Sequence, residues 1–398
     1  MSRFSLAIIV TCAVAMFCSP AVYANSESNV QFSGFARVVA GYLDDDSGRY
    51  LGYKNSVSLD KQSLLGLQLD YQFTNELGIT AQVIGRTADT EDSGIEWLYL
   101  TYSPHKSLKF KLGRQRTPVF SYSDFSDVGF AYNWVTLPQQ VYRQFMLPNY
   151  DGLHSQYDYV GKNISLSMEA YIGGLERDYD DFGQDINVDV DNFKGLVGTL
   201  GYNNWTFRAS LHLGDIDINI AELDNFSDTL NLAGFAQSAN SLSNEGKGEF
   251  YQFSAFYEDI DYFFRTELTK LNTELFYAPD TNGYFVSGGL NFYPFSVHLS
   301  FARDTSRYNE YLSEIPIGVN EQLDQLAYGY QAIVGQLHNN STVSYTLGGR
   351  WDWQDNLAFK VEATLLKERD GYQGLFTTRK SDFDGEAMLY QLALEWVF

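Results

Sequence analysis

Tyr390-Gln391-Leu392-Ala393-Leu394-Glu395-Trp396-Val397-Phe398 puts Tyr, Leu, Leu, Trp and Phe at every second position, with Gln391, Ala393, Glu395 and Val397 between them. Successive side chains of an extended chain point to opposite faces, so this is a strand with one aromatic and aliphatic face. The pattern recurs backwards through the chain. Leu357, Phe359, Val361, Ala363 and Leu365 share a face, as do Val343, Tyr345, Leu347 and Trp351, and Phe295, Val297, Leu299 and Phe301. Earlier examples are Tyr251, Phe253, Ala255 and Tyr257; Trp205, Phe207, Ala209 and Leu211; Leu65, Leu67, Leu69 and Tyr71; and Val30, Phe32, Ala36 and Val38. On nearly every strand the other face carries Gln, Ser, Thr, Arg or Glu.

The connections alternate in length as well. Asn203-Asn204, Asp259-Ile260-Asp261 and Gln354-Asp355-Asn356 are tight turns, whereas Asp44 to Asn55 and several later acidic segments are long. Short turns at one end, long loops at the other, and about sixteen alternating strands predict an all-β transmembrane antiparallel β-barrel with its apolar faces outward. Tyr328 to Gln336 reads as either a short strand or part of a long loop, and Ala221 to Leu242 as a loop that holds a short helix.

Composition agrees with this class. The chain is 44% hydrophobic, with 29 Tyr and 29 Phe, and its formal charge of −23 argues against a nucleic-acid partner. Residues 1–24 have Arg3, the apolar run Leu6 to Val10 and Val22-Tyr23-Ala24, which predicts a signal peptide cleaved after Ala24 and a barrel over residues 25–398. Cys12 and Cys18 both lie within that leader, so neither disulfides nor thiolate metal sites are expected in the barrel. The alternating stretch ending on Phe398 resembles the C-terminal strand signal of bacterial outer-membrane β-barrels. That resemblance implies recognition by the barrel assembly machinery through Phe398, and contact with outer-membrane lipid and lipopolysaccharide.

One stretch breaks the pattern. After Ile95 to Ser103 and Leu108 to Arg116, alternation stops from Thr117 to Pro148, yet this segment contains Phe120, Tyr122, Phe125, Phe130, Tyr132, Trp134, Tyr142 and Phe145. A solvated connection would not keep so much apolar surface in water, so the segment is expected to fold into the lumen. With Glu96-Trp97-Leu98-Tyr99-Leu100, Gly113-Arg114-Gln115-Arg116-Thr117-Pro118, Tyr122-Ser123-Asp124 and Val128 to Trp134, the chain resembles Gram-negative porins, particularly the porin-like proteins of marine gammaproteobacteria. The resemblance implies that residues 113–152 are an inward-folded third extracellular loop that constricts the pore, and that the protein is a homotrimer.

A diffusion channel needs a polar lumen with fixed charges at its narrowest point. Candidates on the polar strand faces are Arg37, Arg86, Arg208, Arg265 and Arg350, and around the constriction Arg114, Arg116, Asp124, Asp127 and Arg143. The arginines either set a field across the pore or pair with Glu169, Glu267, Asp352 or Glu362 and stiffen the wall. Phe120, Tyr122, Phe125, Tyr132 and Trp134 either form a stacking track for sugar rings or pin the loop to the wall. His298 with Ser300, and Ser210 with His212, have the two-residue spacing of an outer-membrane phospholipase pair, but they face the lumen rather than lipid, so no enzyme is expected. Asp178, Asp180, Asp181, Asp185, Asp189 and Asp191 read as a solvated acidic loop. The sequence therefore predicts a passive, cofactor-free and weakly cation-preferring porin for small hydrophilic solutes. The alternatives are a sugar-specific channel and a plugged barrel acting as a binding or adhesive surface protein.

Overall fold

The computed structural model describes residues 29–88, 93–145, 148–181, 184–369 and 372–398. The expected leader, residues 1–24, lies outside them, as do the side chains of residues 178–185 in the acidic loop.

Sixteen strands close into one antiparallel barrel. In chain order they are β1 (Val30–Leu43), β2 (Leu64–Gln72), β3 (Leu77–Arg86), β4 (Gly94–His105), β5 (Leu108–Arg116), β6 (Asn149–Val160), β7 (Ile164–Asp181), β8 (Gln184–Tyr202), β9 (Trp205–Asn219), β10 (Glu245–Glu258), β11 (Tyr262–Thr273), β12 (Asp280–Phe292), β13 (Phe295–Arg307), β14 (Thr342–Gln354), β15 (Leu357–Glu368) and β16 (Glu386–Val397). Each strand pairs with the next, and β1 closes the ring against β16 from Phe35↔Val397 to Leu43↔Leu389. Gly34 and Phe398 exchange backbone hydrogen bonds of 2.9 and 3.0 Å at this closure. A Cβ on Gly34 would lie 2.4 Å from the Phe398 ring, so the closing residue has to be small.

Alternation separates the two faces. Leu112, Leu153, Leu196, Leu299, Leu347 and Leu392 are exposed on the outside, while Arg37, His154, Glu267, His298 and Gln391 are buried inside. The arrangement is the reverse of a soluble core and gives a continuous outward apolar band, far larger than a water-facing monomer keeps. Aromatic pairs stack along one edge of that band, among them Trp205 with Phe207 (5.7 Å) and Trp351 with Phe359 (5.6 Å).

The rim with the long connections carries the helices. Ala221–Leu232 and Ala236–Asn240 form where a short helix was expected. Tyr328 to Gln336 is not a strand: most of it belongs to a helix, Glu321–Val334, whose Asn320 side chain caps the Leu323 N–H at 2.9 Å. Read from Leu323 rather than Tyr328, the apolar residues Leu326, Ala327, Tyr330 and Ile333 recur at helical spacing. These helices pack on one another through Leu223, Leu230, Ala327 and Tyr330, with Phe276 and Ile315. A second cluster, including Tyr50, Tyr53, Phe376 and Leu389, packs the connections after β1 and before β16.

Candidate functional site

Thr117 to Pro148 has no period of two and is broken by Pro118, Pro138 and Pro148, so it cannot join the sheet. It folds instead into short turns at Ser123–Phe125 and Gly129–Ala131 and one turn of helix, Gln139–Tyr142. Its apolar residues Val119, Phe120, Tyr132, Trp134, Leu137 and Val141 pack with Phe250, Phe285 and Ala302, which alternate with the outward Tyr251, Val286 and Phe301 on β10, β12 and β13. Phe120 meets Phe250 edge-on at 5.4 Å, and Trp134 meets Phe285 at 5.6 Å. Partners on the inner faces of so many strands are reached only from within the barrel.

Inner-face side chains hold this segment by its backbone. Arg350 donates to the Phe130 and Tyr132 carbonyls at 2.7 and 3.0 Å, and Lys360 to those of Gly129 and Trp134 at 2.6 and 2.8 Å. Arg37 donates to the Val135 carbonyl, and Arg208 to those of Pro118 and Val119. Arg265 donates to Asn133 Oδ1 at 2.9 Å. Glu267, fully buried, accepts from the Ser121 N–H at 2.9 Å and the Tyr142 hydroxyl at 2.6 Å, so it fixes both ends of the segment. The Trp134 indole donates to Ser300 Oγ at 2.9 Å.

Asp127 and Asp124 have different surroundings. Asp127 sits between Arg86 and Arg116, which also bind Glu96 at 2.7 and 3.2 Å, forming a closed cluster of two cations and two anions. Burial alone would raise the Asp127 carboxyl, but the two guanidiniums outweigh it and hold the group below the usual carboxylate range. Asp124 is exposed at the tip of the segment next to Phe125, whose ring is 52% exposed. Lys111 lies over the Tyr99 ring at 5.1 Å, and Glu169 nearby bonds His154 at 3.0 Å. A cavity of about 240 Å³ runs between the segment and the wall, lined by Arg37, Gln62, Arg86, Arg116, Asp127 and Tyr142, among others.

Arg37, Arg86, Arg208, Arg265 and Arg350 thus come together around the segment, with Arg116 and Asp127. Arg114 does not. It alternates in step with the exposed Leu112 and pairs with Asp151 at 2.9 Å, both about half exposed on the outer side, so it is removed from the constriction set. Arg143 is exposed and reaches the Leu375 carbonyl of the connection before β16. Of the two readings of the rings, their burial favours pinning the segment to the wall over a stacking track. Phe120, Tyr132 and Trp134 are buried, and Tyr122 stacks on Phe256 at 5.6 Å, because these rings fill the space between segment and wall; of the five, Phe125 alone keeps an open face. Arg350 pairs with Asp352, but within its own strand and not across to a neighbour as the stiffening reading expects, whereas Arg37 pairs with Glu395 of the adjoining strand and Arg265 with Glu258. Ser300 bonds Trp134 and Ser287, while His298 pairs with Glu362. Ser210 and His212 do bond, at 2.8 Å, but both are buried, with Tyr171 on the second imidazole nitrogen. Lys360, Lys111 and Glu96 were missed. Lys360 shares the parity of Glu362 on β15, so the rule that found the arginines would have found it.

No protein-family model and no curated protein matches the chain. Among solved structures it is similar to the in-vitro folded OmpT of Vibrio cholerae in its trimer form, at 11% identity and a TM-score of 0.55 over 93% of this chain and 99% of that one. It is also similar to the outer membrane channel DcaP of Acinetobacter baumannii, at 14% identity and 0.56 over 94% and 99%. The anion-selective porin of Comamonas acidovorans matches at 13% identity and 0.55 over 94% and 100%. At these identities the likeness establishes a porin-like barrel fold.

Proposed function

We propose that this protein is a porin of a Gram-negative outer membrane, allied to the porin-like proteins of marine gammaproteobacteria, that passes small hydrophilic solutes and ions down their gradients without chemistry. The observation that carries this reading is the segment 117–148, held inside the barrel by inner-face side chains of most of its strands, with a cavity left between it and the wall beside Arg37, Arg86 and Tyr142. In this reading the leader directs export, Phe398 presents the closing strand to the assembly machinery, lipopolysaccharide surrounds the long connections, and three copies associate, as in the trimer form of the Vibrio OmpT structure.

Selectivity follows from which charges face the solute. Arg37, Arg208, Arg350 and Lys360 point at backbone carbonyls, and Arg86 and Arg116 are neutralised by Glu96 and Asp127, whereas Asp124 is exposed. A weak cation preference results, and a reversal potential favouring chloride in a salt gradient would overturn it. The sugar track loses its support with the burial of the rings.

The tight packing of the segment and the clustered rim connections favour a second reading, a plugged barrel whose function lies on its outer surface. Single-channel conductance separates the two. Wild type should conduct, and a variant deleted from Ser121 to Asn133 should conduct more; silence from both means a plug.

A further inference from the structure

The wall is parted between β4 and β5. Their ladder runs up to Leu98↔Arg114 and stops, although both strands continue. Above that point Ile95 and Trp97 pair with Val83 and Gln82 of β3, while Gln115 and Arg116 pair with Tyr150 and Asn149 of β6. Gly113, at φ +131°, lies at the parting, and the Asn149 amide donates to the Glu96 carbonyl across it. A cavity of about 230 Å³ occupies the gap. Its lining draws on both sides of the wall: Ile95, Arg114 and Asp151 from the outer face, and Leu175, which packs into the inner cluster around Tyr150.

The chemistry of the notch is specific. Arg114 holds Asp151 by two bonds, 3.1 and 2.9 Å, and the pair is about half exposed, so the outer N–H groups and carboxylate lone pairs stay available. With Arg177 and Glu176 the lining carries two cations and two anions, beside Glu96, whose charge is already met by Arg86 and Arg116. That balance disfavours a phosphate or sulfate group. A hydroxyl, which donates and accepts, matches both halves of the pair. Directly below, Leu98 stands opposite Arg114, and Leu112 opposite Leu153, all three exposed on the outer apolar band. The polar notch therefore opens at the upper edge of an apolar surface.

We propose that this notch binds the neutral polyhydroxyl headgroup of a glycolipid, with its alkyl chain along Leu98, Leu112 and Leu153. The proposal rests on the reading of the outer band as the membrane face. Gly94 gives a test, because it lines the cavity and a Cβ there meets nothing within 4 Å, so the backbone accepts a side chain at this position and Gly94→Phe adds a ring at the notch. The refolded full-length barrel and this variant are exchanged into dodecylphosphocholine, given dodecyl maltoside, and weighed by native mass spectrometry, with conductance recorded in parallel. Wild type should retain one dodecyl maltoside, the variant should retain it at least about tenfold less, and free maltose should not be retained. Equal retention by both proteins overturns the site, and retention of maltose alone overturns a lipid source in favour of free sugar. Retention confined to wild type in a barrel that does not conduct would sink the channel reading and leave the notch intact.

Discussion

Asp124 and Asp127 are three residues apart on one short turn, and their surroundings give them different tasks. Asp124 is exposed on the segment, so Asp124→Asn should leave the fold unchanged and move the cation-to-anion permeability ratio toward anions by about twofold, since one fixed charge in a narrow passage is strongly felt. The reversal potential in a potassium chloride gradient measures it, and an unchanged ratio would mean that the solute path runs elsewhere. Asp127 is structural. Its carboxyl is held below the range of the unfolded chain by Arg116 and Arg86, so its contribution is fully present above about pH 4 and disappears only as pH falls through the lowered value. Conductance should therefore be flat from about pH 5 to 8 as far as this cluster is concerned, with loosening of the segment confined to stronger acid. A step in conductance near neutral pH that Asp127→Asn abolished would contradict this.

Among the elements, the inward segment and its neighbour β5 show how much was legible. The loss of alternation after Arg116 and the density of aromatic residues marked Thr117 to Pro148 as an unusual connection. Which way each ring points was not legible, because a segment without a period has no parity to read; Phe125 and Trp134 look alike in sequence, yet one is half exposed and the other buried. Arg114 was misassigned for a related reason. Parity could not place it, because Leu112 outside and Arg116 inside share it across the irregular backbone at Gly113, and its place in the Gly113 to Pro118 motif suggested the constriction. Gly113 itself is a backbone requirement. At φ +131° a Cβ would stand 2.3 Å from the Leu98 carbonyl, so Gly113→Ala should cost more than about 1 kcal/mol. A lower urea midpoint for the folded band on unheated gels would report it; an unchanged midpoint would show that β5 accommodates a side chain there.

At the scale of the molecule, closure depends on β1 meeting β16. Nine register pairs join them, from Phe35↔Val397 to Leu43↔Leu389, and Phe398 adds backbone bonds to Gly34 beyond the first. Removing Phe398 alone should leave a barrel that still refolds in detergent, because the register pairs remain, while the amount inserted in outer membranes of cells should fall severalfold. Heat-modifiability of the refolded protein and its abundance in membrane fractions give the two readings. Equal loss in both would assign Phe398 to closure instead of recognition.

The sequence by itself determined the class of fold, the side of the wall on which most strand residues lie, and the place where the pattern fails. A β-strand alternates with a period of two whatever its neighbours are, so inside and outside are written locally. Only the tertiary structure decided which cations face a solute and which hold a carbonyl, which rings are covered, and where two neighbouring strands part. Those outcomes depend on partners far apart in the chain, such as Lys360 with Gly129, 231 residues away, or Trp134 with Ser300, 166 away, and no local period encodes a contact between two surfaces that meet only when the barrel closes.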